Sequence, residues 1–283
     1  MGLLGFLTGL YKRENQYDDF WYAGWNLLYK SVFMKSLTLN PQRTVVALIG
    51  LLFSFSALKA NPAFTTAAAK AAAQAARRAE MRMILATASS IYEEMDLEDS
   101  GLSRKAFESA WTGYYKLREK GLLHISNILS ICDFSQSSSN QRLYVIDVRN
   151  RRLLYRTYVA HGINSGEQFA SSFSNQMESC KSSLGFYITK RTYSGANGMS
   201  LRIEGVDKGF NDNAAKRAIV IHGAGYVSKR ILNKYGVMGT TFGCPAIPSE
   251  MTSQIIPVVK NGSCFFIYYP SKKYLSQSSV LNS

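Results

Sequence analysis

Arg217–Pro248 reads RAIVIHGAGYVSKRILNKYGVMGTTFGCPAIP. An apolar run closes on His222, and Gly223 follows it. Cys244 stands 22 positions later in a Gly-rich turn, far enough for the intervening loop to fold the thiol back toward the imidazole. An imidazole beside a thiol lowers the thiol pKa and yields a thiolate that attacks carbonyl carbon. A Cys and a His taken at random are far more often a small buried residue and a satisfied strand histidine. The pair therefore gains weight only from its surroundings.

Outward from this stretch the pattern is mainly β. Ala218–His222 reads as a strand, as do Ile125–Phe134, Leu184–Thr192, Ser200–Glu204 and Ser263–Tyr269. Leu143–Val148 and Leu153–Val159 flank Arg149-Asn150-Arg151-Arg152, a hairpin signature. Gly195, Asn197, Gly198, Asn211 and Asn213 punctuate the gaps. Short strands joined by polar loops predict a β-sandwich or barrel-like domain. Shorter helices are expected over Tyr226–Tyr235 and over Pro248–Ile256, the latter stopped by Pro257. A small N-terminal helical segment precedes the strands. Ile84, Ala88, Ile91, Tyr92 and Met95 recur at helical spacing. Ser103 is a candidate N-cap for a helix over Arg104–Glu119, with Phe107, Ala110, Trp111, Tyr114, Tyr115 and Leu117 on its apolar face. That aromatic stripe reads as core before it reads as a sugar platform.

The 283 residues carry 33 Lys and Arg against 19 Asp and Glu, a net charge of +14. Such a surface suits an anionic partner. The basic residues are scattered, with Arg77-Arg78 and Arg149–Arg152 among the denser groups, and no zinc-finger spacing, basic heptad helix or RNA-binding aromatic signature occurs, which argues against nucleic acid. An anionic polymer of the cell envelope fits the charge equally well. Of the four cysteines, Cys132, Cys180, Cys244 and Cys264, none makes a C-x-x-C pair, and there are three histidines. Neither a metal site nor a disulfide is assigned.

Thr44–Ala57, TVVALIGLLFSFSA, is uncharged, short for a membrane span and of the length of a signal-peptide core. Read from Met34 it has the layout of an export signal, ending near Ala60. The expected division is an upstream extension over 1–33, a signal peptide or anchor over 34–60, an Ala-rich linker over 61–80, the helical segment over 81–121, the β domain over 122–272 and a tail over 273–283. A membrane tether through 44–57 is the alternative to cleavage. All of these place the domain in the periplasm or elsewhere in the cell envelope.

Three segments occur in order: VAHGINSG around His161, SSLGFY from Ser182 to Tyr187, and the stretch from His222 to Cys244. Together they resemble the L,D-transpeptidase catalytic domain, in the branch of murein enzymes with a cysteine nucleophile. Ser183-Leu184-Gly185-Phe186 stands for one family element, Ile221-His222-Gly223 for another, and Thr241-Phe242-Gly243-Cys244 for the cysteine motif. The resemblance covers about 143–270. It departs from the family at Phe242, where a His is usual before Gly-Cys, and at Ala246, where an Asn is usual. His222 then remains as the general base by motif position.

The resemblance implies a β-sandwich catalytic domain and two-step acyl transfer without a cofactor. His222 assists deprotonation of Cys244, and the thiolate attacks the L-centre carbonyl of diaminopimelate in a donor tetrapeptide. D-Ala leaves, and an amine of a second peptidoglycan stem resolves the thioester. Backbone N–H groups at Gly243 and Cys244 are the expected oxyanion donors. The Gly223 carbonyl is expected to set the imidazole tautomer. Arg202 is the candidate for a donor carboxylate. Thr241, His161, Tyr187 and Tyr226 are the candidate cleft residues, His161 with the alternative of closing a strand end. A carboxypeptidase or endopeptidase on the same site, a non-catalytic murein-binding protein, and a cysteine peptidase acting on ordinary proteins are the competing readings.

Overall fold

Alanine carries the first element seen. The structure, a computed structural model, describes residues 62–283, with side chains from 66 onward. The expected extension, export signal and tether lie outside the described residues. Helix α1, Pro62–Glu94, takes in the Ala-rich stretch and the Ile84–Tyr92 pattern as one helix. Residues 66–80 are exposed throughout, so helix propensity rather than burial accounts for them. Burial begins where the bulky apolar residues begin, at Ile84, Ala88, Ile91 and Tyr92. Among the described residues no helix is long and apolar enough to cross a membrane.

Helix α2, Arg104–Glu119, starts where Ser103 Oγ accepts the Ala106 N–H at 3.2 Å. Its aromatic face is core: Phe107, Trp111 and Tyr114 are buried and lie ring against ring. Gly113 lets the helix come down onto the sheet, since a Cβ there would lie 2.0 Å from the Phe186 ring.

Eight strands follow: β1 Ile128–Asp133, β2 Leu143–Asp147, β3 Arg152–Thr157, β4 Gly185–Gly195, β5 Gly198–Gly205, β6 Val220–Ala224, β7 Ala246–Pro248 and β8 Cys264–Tyr268. They form one sheet in the order β3-β2-β1-β8-β4-β5-β6-β7. The pairs β1–β8 and β6–β7 are parallel and the others antiparallel. The chain leaving β3 pairs Ala160 with Ala246 of β7, which joins the two ends of the strand order and nearly closes a barrel. In the β4–β5 hairpin the register slips between Thr189 and Thr192, so Lys190 and Arg191 together oppose Arg202. This is a β-bulge.

The mainly β architecture and the N-terminal helical segment are as the sequence implies. Three local expectations change. Strand β7 was not expected. Helix α3, Lys229–Tyr235, is shorter than its apolar pattern, because Ser228 caps it by accepting the Ile231 N–H. Helix α4, Thr252–Val259, runs through Pro257 instead of stopping there. The helix is so short that Pro257 removes a single N–H near its end.

Helix α5, Lys272–Gln277, and the residues just after it are anchored by one buried carboxylate. Asp207 Oδ2 accepts the Phe186 N–H and the Tyr274 hydroxyl, both at 2.9 Å, and Oδ1 accepts Ser278 Oγ and the Val280 N–H. Burial, and then the adjacent carboxylate, push the Tyr274 hydroxyl well above its ordinary pKa. Asp207→Ala leaves these donors buried without an acceptor and is expected to cost about 3 kcal/mol in urea unfolding. Asp207→Asn, which keeps one acceptor oxygen, is expected to cost less.

Candidate functional site

The parallel pairing of β6 with β7 brings the two motif residues together. His222 pairs with Ala246, two residues beyond Cys244. The Val220 N–H points at Cys244 Sγ at 3.5 Å, and Sγ points at the Ala218 carbonyl at 3.8 Å. Val220 and His222 are two apart on one strand and share a face. The thiol thus sits one strand across and one pleat repeat back from the imidazole. Nδ1 of His222 lies 2.9 Å from the Gly223 carbonyl. A carbonyl only accepts, so Nδ1 carries a proton, and in the neutral ring the lone pair then lies on Nε2. Among the described residues no hydrogen bond engages Nε2. A proton acceptor on one strand and a proton donor on the next can perform general-base-assisted nucleophilic attack.

Burial raises the Cys244 thiol pKa, while the Val220 N–H and the nearby Arg217 guanidinium draw it down without cancelling that rise. Arg217 is a residue the sequence reading missed. Its Nη1 donates to the Ser174 carbonyl at 2.8 Å and to Ser183 Oγ, and its Nη2 to the Lys181 carbonyl at 2.7 Å and Ser179 Oγ at 3.1 Å. One side chain therefore both ties the 174–183 loop to the site and places positive charge beside the thiol. Its only sequence signal was the basic pair Lys216-Arg217 opening an apolar strand run.

The turn before the thiol is built on Thr241. Its Oγ1 accepts the Gly243 N–H at 2.9 Å and donates to the Cys244 carbonyl at 2.8 Å. The Gly243 N–H is therefore engaged within the turn, which corrects the expectation that it serves an oxyanion. What the turn needs of Gly243 is its backbone, at φ 122° and packed so closely that a Cβ would lie 2.7 Å from the Lys181 carbonyl. Thr241 is held from behind, its N–H on the His161 carbonyl at 2.9 Å and its carbonyl on the Ile163 N–H at 2.7 Å.

Two expected cleft residues lie in the interior instead. Tyr187 is fully buried, its hydroxyl on the Ser183 carbonyl at 2.9 Å. His161 is also fully buried, with Arg142 Nη2 2.7 Å from Nδ1 and Nε2 2.9 Å from the Gly166 carbonyl. Both ring nitrogens are thereby used, and the residue braces the thiol turn through its backbone. Burial, and then the Arg142 cation, lower its pKa to about 4. The unfolded chain takes up this proton near 6.5, so the contribution to stability is complete above that pH and is lost as pH falls toward 4. Urea unfolding is expected to show a loss of about 3 kcal/mol across that window. His161→Gln, which still accepts from Arg142 and donates to Gly166, is expected to lack the slope.

The remaining candidates face outward. Tyr226 is partly exposed, and its hydroxyl pKa is raised by burial and by the neighbouring Cys244. Arg202 pairs across the sheet with Val220 and lies 4.6 Å over the Tyr193 ring. Phe242, next to the turn, is 79% exposed. All four cysteines are free thiols. Among the described residues no group of His, Cys, Asp and Glu is placed to hold a metal ion.

The sequence profile of the L,D-transpeptidase catalytic domain matches residues 98–268, more than half of the chain. The chain belongs to the L,D-transpeptidase catalytic-domain family. The matched span of this L,D-transpeptidase domain begins before α2 and closes on β8. Among solved structures it is similar to an L,D-transpeptidase from Mycobacterium smegmatis, with 10% identity over 50% of this chain and 59% of that one, at a TM-score of 0.32. It is similar also to the L,D-transpeptidase of Xylanimonas cellulosilytica, with 11% identity over 50% of this chain and 60% of that one, at a TM-score of 0.28. The chain thus spans about six-tenths of the length of these structures. No curated protein matches it.

Proposed function

We propose that the protein is a peptidoglycan L,D-transpeptidase that acts through a Cys244 thioester. One observation supports this above the others. The β6–β7 register sets the Cys244 thiol one strand from an imidazole whose Nε2 is free and whose Nδ1 is fixed on Gly223. The resting thiol, with its raised pKa, is protonated near neutral pH. His222 therefore acts as a base during attack rather than as half of a standing ion pair.

The proton passes from Sγ to Nε2 as Sγ bonds to the donor carbonyl carbon. His222 returns it to the departing D-Ala amine, leaving the acyl chain on sulfur. The amine of a second stem then attacks the thioester carbon, the new amide forms, and the thiol is regenerated. The Cys244 N–H, at the end of the Gly243 turn, is the oxyanion donor in this reading. The setting is the cell envelope, outside the cytoplasm, and the positive charge of the chain suits its anionic polymer.

A hydrolytic reading has one observation in its favour: Cys244 is partly exposed, so water reaches the acyl-enzyme. Mass spectrometry of a disaccharide tetrapeptide incubated with the protein separates the two. Loss of D-Ala with a dimer joined through two diaminopimelates supports transpeptidation, and loss without dimer makes the protein a carboxypeptidase. An unchanged substrate that still binds would make it a murein-binding protein.

A further inference from the structure

Away from the thiol, the β4 bulge has no part in the chemistry above. It turns Lys190 and Arg191 outward together, where an unbroken strand would send alternate residues to opposite faces. They line a cleft of about 350 Å³ with His124, Asn261, Leu122 and Ile188. Lys190 already has a partner, Glu204, at 2.6 Å. Among the described residues the Arg191 side chain has no ion pair or hydrogen bond, and neither has that of His124.

The cleft shares a face of the sheet with the site. Ile188, in its wall, pairs with Glu204, and alternation puts Arg202 on the same face. Arg202 pairs in turn with Val220, whose N–H touches Cys244 Sγ. A basic line therefore runs from the bulge through Arg202 to the thiol. From β4 to β7 is three strand steps, about 14 Å. An extended peptide covers that distance in about four residues, and the reach of the arginine side chain shortens the requirement.

We propose that Arg191, with Lys190 and His124, forms a carboxylate-binding subsite. It holds a carboxylate of the donor stem other than at the attacked carbonyl, at a separation that the reach of the arginine side chain shortens from about 14 Å. This rests on the transpeptidase reading for the identity of the peptide. The polar cleft gives a carboxylate paired donors, while Leu122 and Ile188 offer contact to the alkyl carbons beside it.

The test is equilibrium binding of a disaccharide tetrapeptide to the full chain carrying Cys244→Ala, so that turnover plays no part. Adding Lys190→Gln and Arg191→Gln is expected to weaken binding about tenfold. The same donor with its carboxylates amidated is expected to bind both proteins equally. Arg191→Lys, which keeps the charge, is expected to recover part of the loss. Equal weakening for both donors, no weakening, or no binding of the free-carboxylate donor would overturn the subsite. Turnover by the unaltered protein is read separately. A protein that binds in this carboxylate-dependent way but produces neither dimer nor free D-Ala would keep the subsite and lose the transpeptidase assignment.

Discussion

Cys244→Ala is expected to lower D-Ala release and dimer formation by four orders of magnitude or more, to the level of the uncatalysed reaction. Cys132 and Cys264 are buried in the core with thiol pKa values driven up by desolvation, and Cys180, on the 174–183 loop that Arg217 ties to the site, is the one other partly exposed thiol. The substitution removes one sulfur from a partly exposed position and leaves the Thr241 turn intact, so thermal unfolding should barely move. Intact-protein mass spectrometry gives a second readout, since the acyl adduct should be present on the unaltered chain and missing from the variant. Full turnover by the alanine variant would remove Cys244 from the mechanism.

His222→Gln is expected to cost between about 10² and 10⁴ in kcat, with KM changing far less. Glutamine fills the same space but cannot take a proton. The rate should then recover as pH rises toward the raised pKa of the Cys244 thiol, because at high pH the thiolate forms without help. A merely structural His222 would give a loss that does not depend on pH. Alkylation by iodoacetamide follows the same logic and needs no substrate. A variant that alkylates as fast as the unaltered protein at pH 7 would count against the base assignment.

The readable parts of this site are those where chemistry resides in a side chain and position in a short local pattern. His222 and Cys244 belong to that class, and so does α2, whose cap and aromatic face are local features. Strand β7 was hidden because Ala246-Ile247 lies between Pro245 and Pro248 and owes its conformation to pairing with β6 and Ala160, neither adjacent in sequence. His161 and Tyr187 carry groups suited to a cleft, yet their hydrogen bonds to Arg142, Gly166 and Ser183 are made inside the protein. Periodicity cannot separate an inward polar residue with partners from an outward one without them. Arg217 was overlooked for the converse reason, since its value lies in a loop some 40 residues earlier that only the folded chain brings to it.

The placement of β8 governs when this protein can fold. Cys264–Tyr268 lies between β1 and β4, in the middle of the strand order, although it is the last of the described strands in sequence. Without it, β1 and β4 have no backbone pairing along that seam, and the two halves of the strand order meet only at the far side, through the Ala160–Ala246 and Gly162–Thr241 bridges. Contacts this distant in sequence close late and slowly. The central seam of the sheet therefore zips up only once Cys264–Tyr268 has found both β1 and β4, and the rate at which the domain closes is expected to be set by this longest-range pairing.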